Sequence, residues 1–169
     1  MIYSIFYRFI STVGFIGYMP FAPGTFGTLA AVFFMVVLKP SVLAHIILTI
    51  CFITVGIVSS NQTIRLLEGN PSLPPFSKGG MGGLPSGKKD PSNIVIDEFA
   101  GYMASLLFLP LSWGYIIAAF VLFRFFDILK PPPLRRLEDV FNGGFGIMAD
   151  DIGAAVYTNL VLQLWRLLN

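Results

Sequence analysis

Residues 41–60 read SVLAHIILTICFITVGIVSS, a stretch without a single Asp, Glu, Lys or Arg. A helix needs about 20 apolar residues to cross the hydrocarbon core of a bilayer. This stretch therefore predicts a transmembrane helix. It also decides the class of the fold, because a backbone exposed to lipid must satisfy its hydrogen bonds within its own helix.

The composition of the whole chain agrees with that prediction. Of the 169 residues, 55% are hydrophobic and only 12% are charged, whereas soluble domains average about 25% charged residues. The length favours one domain, residues 1–169. The net charge of +2 is too small to indicate a nucleic-acid partner, and a single cysteine, Cys51, excludes a disulfide framework.

Further apolar runs flank this stretch at residues 25–38, 94–109, 113–129 and 150–168. The first of them is short enough to be only half-inserted, and the aromatic residues of 1–19 favour an interfacial helix. We expect an all-α, polytopic membrane bundle of four to five membrane-embedded helices plus this N-terminal interfacial helix. In residues 69–93, 15 of 25 positions are Gly, Pro or Ser, which predicts a flexible insertion.

The basic residues predict the orientation. If the ends of the runs alternate between two sides, nine Lys and Arg fall on one side and two on the other, and the richer side is cytoplasmic by the positive-inside rule. We therefore expect a multi-pass membrane protein with this side facing the cytoplasm. The nine are Arg8, Arg65, Lys78, Lys88, Lys89, Arg124, Lys130, Arg135 and Arg136, and the two are Lys39 and Arg166.

Most of the acidic residues near the runs gather on that same side. Asp97 and Glu98 open the run at 94–109, Asp127 closes the next, and Asp150 and Asp151 begin the last. An ionised side chain in a bilayer costs about 2.5–3.5 kcal/mol at its centre on insertion scales, so such residues indicate function. Oxygen-only ligands favour Mg²⁺ or Mn²⁺. The alternatives are that the first pair complements a helix dipole and that Asp150 caps a helix.

Cations suited to a phosphate lie among these acids. Arg124, Asp127 and Lys130 share an arc of about 120° on one helix. They form either a local ion-pair network or a site in which Asp127 binds metal while both cations receive a phosphate. Within PGTFGT, Thr25 or Thr28 is either a plain N-cap or, together with backbone amides, a further phosphate contact.

The remaining polar residues exclude several kinds of active site. Asn61, Gln62 and Arg65 either contact a lipid headgroup or form an interfacial fringe. The only histidine, His45, lies at the opposite end of its helix from the acids, where we interpret it as an interfacial residue. This excludes a zinc–histidine cluster and a histidine phosphoenzyme, and the sequence has no GxSxG motif. Metal-assisted phosphoryl chemistry fits the residues that remain.

Four motifs occur in this order: PGTFGT at 23–28, DPSNIVIDEFAG at 90–101, FRFFDILKPPPLRRLE at 123–138 and GGFGIMADDIGA at 143–154. Together they resemble the phosphatidylglycerophosphatase A family over most of the chain outside residues 71–89 and the extreme N-terminus. The resemblance implies a Mg²⁺-requiring, multi-pass enzyme of the bacterial cytoplasmic (inner) membrane. Such an enzyme removes the terminal phosphate of the phospholipid phosphatidylglycerophosphate and leaves phosphatidylglycerol.

The site that we predict combines these residues. One or two Mg²⁺ ions, the substrate phosphate and a carboxylate that acts in catalysis all meet there, and no protein partner is expected. Metal ligands are Asp97, Glu98, Asp127 and Asp150; Asp151 is a further catalytic carboxylate; Thr25, Arg124 and Lys130 bind the phosphate. The sequence leaves open whether a metal-bound water or an Asp attacks. A cation or proton transporter and a metal-dependent lipid phosphotransferase are the alternative functions.

Overall fold

The computed structural model describes residues 2–68, 93–132, 134, 141 and 143–168. Within those ranges it contains six α-helices, one short 3-10 helix (Ile16–Tyr18) and no strand, so the predicted all-α class is confirmed. The helices are α1 (Ile2–Ser11), α2 (Pro23–Leu38), α3 (Val42–Glu68), α4 (Ile96–Ser105), α5 (Trp113–Leu129) and α6 (Gly143–Leu168). The predicted insertion at 69–93, apart from Asn93, lies outside the described residues, as do Lys78, Lys88, Lys89, Arg135 and Arg136.

The central helix of the bundle is α4. It packs against α2, α3, α5 and α6, and every one of its residues except Ala104 is buried. Its Phe99 ring contacts Phe34 of α2 and Phe52 of α3 at centroid separations of 5.5 and 4.7 Å. Because α4 is enclosed on all sides, Asp97 and Glu98 in its first turn are removed from solvent.

The helix α4 is shorter than the apolar run that contains it. The run at 94–109 predicts a tilted span, but α4 has 10 residues, about 15 Å, against roughly 30 Å of hydrocarbon. The helix stops at Ser105 because the chain then turns, with Phe108 at a φ of 62°, and Pro110 cannot continue a helix. This helix alone is too short to cross a bilayer.

Among the described helices, α3 and α6 are long and apolar enough to cross a bilayer. Two is fewer than the four to five that the apolar runs predict. The difference arises because α2, α4 and α5 have 16, 10 and 17 residues, below the roughly 20 that a span needs. Only 22% of the apolar stretch of α3 is buried inside the bundle, against half of that of α6.

Five helix ends meet at one end of the bundle, which we call the carboxylate end. They are the first turns of α2, α4 and α6 and the last turns of α3 and α5, as the contacts below show. The last residue of α1 is held there too, because the Val95 N–H donates to the Ser11 carbonyl at 2.9 Å and the hydroxyls of Ser11 and Thr63 lie 3.1 Å apart. The opposite, distal end carries Lys39, Trp113 and Arg166 at the ends of α2, α5 and α6.

Candidate active site

Three buried carboxylates converge at the carboxylate end. One oxygen from each of Asp97, Glu98 and Asp151 lies within 4.8 Å of the other two, and these residues are 2%, 5% and 4% exposed. The helices that carry them meet at Gly101, where an added Cβ would lie 3.1 Å from the Cβ of Asp151 and 2.8 Å from the Phe123 ring. The small residue therefore lets α4 and α6 bring the carboxylate trio, Asp97, Glu98 and Asp151, together.

The chemistry of this carboxylate trio fits a hard divalent cation. Three adjacent buried carboxylates repel one another unless positive charge neutralises them. Glu98 Oε2 is buried and has no hydrogen-bond partner in the part of the chain that the structure describes. Mg²⁺ and Mn²⁺ prefer oxygen ligands of this kind. Asp151, predicted as a further catalytic carboxylate, thus lies beside two of the predicted ligands.

The other two predicted ligands are each held by a cation. Arg124 Nη1 lies 2.7 Å from Asp127 Oδ2, and Lys130 Nζ lies 2.6 Å from Asp150 Oδ2. The predicted local ion pair therefore exists between Arg124 and Asp127, whereas Lys130 reaches across from α5 to α6. Lys130 is the C-cap of α5 with a φ of 43°, so the chain departs from the helix at this residue.

The first turn of α2 lies directly against the trio. Gly24 is buried, and a Cβ at this position would overlap Glu98 Oε1 and lie 3.2 Å from Arg124 Nη1. A helix N-terminus carries a partial positive charge and favours anions. Arg124, whose buried Nε has no hydrogen-bond partner among the described residues, adds a full positive charge at the same place.

Thr25 follows Gly24 in this first turn. The N-cap of α2 is Ala22, without a side-chain cap, and Pro23 occupies the first turn. The N-cap alternative for Thr25 is therefore wrong. The Thr28 hydroxyl donates back to the Gly24 carbonyl at 2.9 Å, whereas Thr25 is half-buried at the edge of the site.

Asn61 has a structural role that its sequence position left open. Its Oδ1 accepts a hydrogen bond from the Gly144 N–H at 2.7 Å, so it satisfies one of the backbone amides that have no partner within α6. A side chain at Gly144 would collide with the Ile57 carbonyl oxygen and with the backbone nitrogen of Asn61. The Gly-Gly pair at 143–144 was the available sequence signal for this close contact between α3 and α6.

His45 is also placed differently from the prediction. It is buried, and its Nε2 donates to the Met103 carbonyl at 2.9 Å. It therefore binds the end of α4 and is not an interfacial residue. It lies far along α3 from Asn61, and so away from the carboxylate trio, as its sequence position indicated.

Comparison with known proteins adds independent information. The family model for phosphatidylglycerophosphatase A matches residues 9–72 and 84–166. A Haemophilus influenzae protein named phosphatidylglycerophosphatase A is 37% identical over 153 residues, which cover 86% of this chain and 82% of the relative. The Escherichia coli protein of the same name is 33% identical over 149 residues, covering 86% and 75%.

A third relative carries a different name. The Bacteroides thetaiotaomicron protein, named a putative phosphatidylinositol-3-phosphatase, is 34% identical over 159 residues, covering 89% of this chain and 87% of the relative. No solved structure matches the chain. The resemblance carried by the four motifs is confirmed by the family model and by the extent of these alignments, and the chain belongs to the phosphatidylglycerophosphatase A family.

Proposed function

We propose that this protein is a Mg²⁺-dependent lipid phosphatase of the bacterial cytoplasmic membrane. It hydrolyses the phosphomonoester of phosphatidylglycerophosphate to phosphatidylglycerol and phosphate at the cytoplasmic face. Family membership supports a phosphoric monoester hydrolase. The observation that carries the proposal is the buried trio of Asp97, Glu98 and Asp151 beside Arg124 and the first turn of α2.

The residues divide into two groups in this proposal. The trio holds Mg²⁺, which when bound supplies positive charge that offsets the charge of the phosphoryl oxygens. Arg124 and the start of α2, including Thr25, bind those oxygens, because forked cations and helix N-termini both suit phosphate. A phosphomonoester carries about −1.5 to −2 charges at neutral pH, so this concentration of positive charge favours it over a phosphodiester.

Asp127 and Asp150 take a different role from the one that the sequence predicts. Each accepts a strong hydrogen bond from a cation, Arg124 or Lys130, which fixes the orientation of both partners. Asp127 thereby holds the guanidinium toward Gly24, and Lys130 holds Asp150 next to the trio. Either Asp150 accepts a proton from an attacking water, or one carboxylate attacks the phosphorus itself.

The outer surface supports a membrane location with several embedded helices. Large apolar side chains are exposed along the outer faces of α2, α3, α5 and α6, far more than a soluble monomer tolerates. They include Phe33, Val37, Leu43, Ile47, Ile50, Val58, Ile117, Val121, Val156, Leu160 and Leu164. The acyl chains of the substrate then remain in the bilayer beside these helices while the headgroup reaches the carboxylate end.

Two alternatives from other classes make different predictions. A transporter needs acidic groups distributed across the membrane, whereas the carboxylates here gather at one end beside cations suited to phosphate. A lipid phosphotransferase shares the site chemistry and differs in using an alcohol as acceptor. The name of the Bacteroides relative adds a second candidate substrate, a phosphoinositide monoester.

Phosphate release from purified protein in detergent tests the proposal. The substrates are phosphatidylglycerophosphate, phosphatidylinositol 3-phosphate, phosphatidic acid and phosphatidylglycerol, each with Mg²⁺ or with EDTA. We expect release that requires Mg²⁺ and is fastest from phosphatidylglycerophosphate. Faster release from the phosphoinositide would reassign the headgroup. Release that is insensitive to EDTA would contradict the metal site, and no release from any lipid would favour the transporter.

A further inference from the structure

The helix α4 ends inside the bundle, and side chains of other helices donate hydrogen bonds to its last carbonyls and to those of the turn that follows it. The carbonyls in the last turn of a helix have no partner within that helix, and in a membrane protein they cannot turn to lipid. His45 of α3 binds the Met103 carbonyl. The remaining contacts come from α6, the helix that also carries Asp151.

Asn159 makes the most extensive of these contacts. Its amide nitrogen donates to the Ser105 carbonyl and to the Leu107 carbonyl, both at 2.9 Å. One and two turns farther along α6, Gln163 donates to the Leu107 carbonyl at 3.4 Å and Arg166 to the Phe108 carbonyl at 2.9 Å. Asn159 and Gln163 are half-buried, whereas Arg166 is exposed.

The position of Asn159 matches the position of the trio. Both α4 and α6 begin at the carboxylate end, so they run in the same direction. Ser105 lies eight residues after Asp97, and Asn159 lies eight residues after Asp151, a rise of about 12 Å on each helix. The hydrogen bonds from Asn159 and the trio therefore join α4 to α6 at two levels about 12 Å apart, with the same number of residues between the levels on each helix.

Sliding of these helices would dismantle the trio. A shift of one turn moves α4 about 5.4 Å along α6, which exceeds the 4.8 Å within which the three carboxylate oxygens lie. At Gly101 the neighbouring groups are the Asp151 Cβ and the Phe123 ring. Such van der Waals contacts fix the position of one helix along another less specifically than two hydrogen bonds from one amide do.

We propose that Asn159 is a positioning residue that fixes the axial register of α4 against α6 and so holds Asp97, Glu98 and Asp151 at the separation that a cation needs. This inference rests on the cation site of the proposed function. Asn159 itself lies about 12 Å along α6 from Asp151. It does not touch the cation and influences it only by holding α4 in position.

The test compares Asn159→Leu with Gln163→Leu in the full-length protein in detergent. Both variants replace an amide on the same face of α6, but Gln163 contributes a single hydrogen bond of 3.4 Å. The thermal unfolding midpoint is followed over a series of Mg²⁺ concentrations. We expect Asn159→Leu to raise the Mg²⁺ concentration for half-maximal stabilisation by about 10-fold or more, as loss of groups that support metal ligands does. Gln163→Leu is expected to change it by less than about threefold.

The outcomes separate this inference from the function on which it rests. A wild-type protein whose unfolding midpoint does not respond to Mg²⁺ contradicts the cation site and the inference together. A wild type that responds, with Asn159→Leu responding at the same Mg²⁺ concentration, overturns the inference alone, whatever the midpoint of the variant without Mg²⁺. If Asn159→Leu does not accumulate in the membrane, Asn159→Ser, which removes the long amide but stays small and polar, is held to the same criterion.

Discussion

At the scale of single residues, Gly24 determines how closely α2 approaches the carboxylate trio. The site places a helix N-terminus, a guanidinium and a carboxylate around the α-carbon of this residue. Any side chain there must displace one of these groups. The start of α2 can therefore contribute to phosphate binding only because this residue is glycine.

Gly24→Ala is expected to reduce phosphate release by at least about 10-fold, because the added Cβ overlaps the Glu98 carboxylate and crowds Arg124. Gly114→Ala is the matched control: this glycine lies in the first turn of α5, and an added Cβ meets nothing within 4 Å. The measurement is the rate of phosphate release at equal amounts of membrane-inserted protein. Wild-type rates for both variants would show that α2 does not contribute to the site.

Replacement of two different carboxylates should affect turnover alike but Mg²⁺ binding differently. Asp151→Asn removes a carboxylate that would hold the cation, and Asp127→Asn removes the partner that orients Arg124. Both are therefore expected to lower turnover by about 100-fold, the size typical for loss of one group that stabilises a transition state. Only Asp151→Asn should also abolish stabilisation by Mg²⁺, since Asp127 is paired with Arg124 and lies outside the trio. Thermal unfolding with and without Mg²⁺ separates the two. Loss of the Mg²⁺ response in Asp127→Asn would restore the ligand set predicted from the sequence.

At the scale of helices, the apolar runs predicted most boundaries well. The run at 113–129 coincides with α5, and that at 25–38 begins two residues after α2. The helices α3 and α6 extend beyond their runs at the carboxylate end because their additional turns are polar or glycine-rich, so hydropathy does not mark them. The helix α4 ends before its run does, and hydropathy does not mark this end because the turn at 106–109 is as apolar as the helix before it.

The pairing of the acidic residues could not be predicted in the same way. Neighbouring residues of a helix point about 100° apart, so Asp150 and Asp151 face different helices. Which of the two faces α4 depends on how α6 is rotated in the bundle, and no local pattern encodes that rotation. The structure places Asp151 toward α4 and Asp150 toward Lys130 of α5.

Asn61 joins α3 to α6 and offers a test at this scale. Asn61→Leu leaves the Gly144 N–H without its acceptor, and loss of such a cap costs about 0.5–2 kcal/mol. For a chain of this size each kcal/mol corresponds to about 2–4 °C in the unfolding midpoint. Asn61→Asp keeps the acceptor and adds a negative charge that suits a helix N-terminus. We expect the midpoint to fall in Asn61→Leu and to stay within about 1 °C of wild type in Asn61→Asp. Equal midpoints in all three proteins would show that this contact contributes little.

At the scale of the whole molecule, apolar surface and charge are distributed along one axis. The outer faces of four helices are apolar over their middle parts. Arg65, Arg124 and Lys130 lie at the carboxylate end, whereas Lys39 and Arg166 lie at the distal end. Two exposed tryptophans, Trp113 and Trp165, accompany the distal cations, as is typical of a membrane interface. This arrangement supports a bundle that lies along the membrane normal with its site at one surface.

Cysteine labelling tests that orientation directly. Cys51 is exposed on the apolar surface of α3, so the labelling background is Cys51→Ser. Single cysteines are then introduced at Ser41, just before α3 at the distal end, and at Arg65 near its other end; both positions are exposed. Because the positive-inside rule places the carboxylate end in the cytoplasm, a membrane-impermeant maleimide applied to intact spheroplasts should label Ser41→Cys. It should label Arg65→Cys only after the membrane is permeabilised. The reverse pattern would place the site outside the cell, and labelling of both positions from outside would mean that α3 does not cross the membrane.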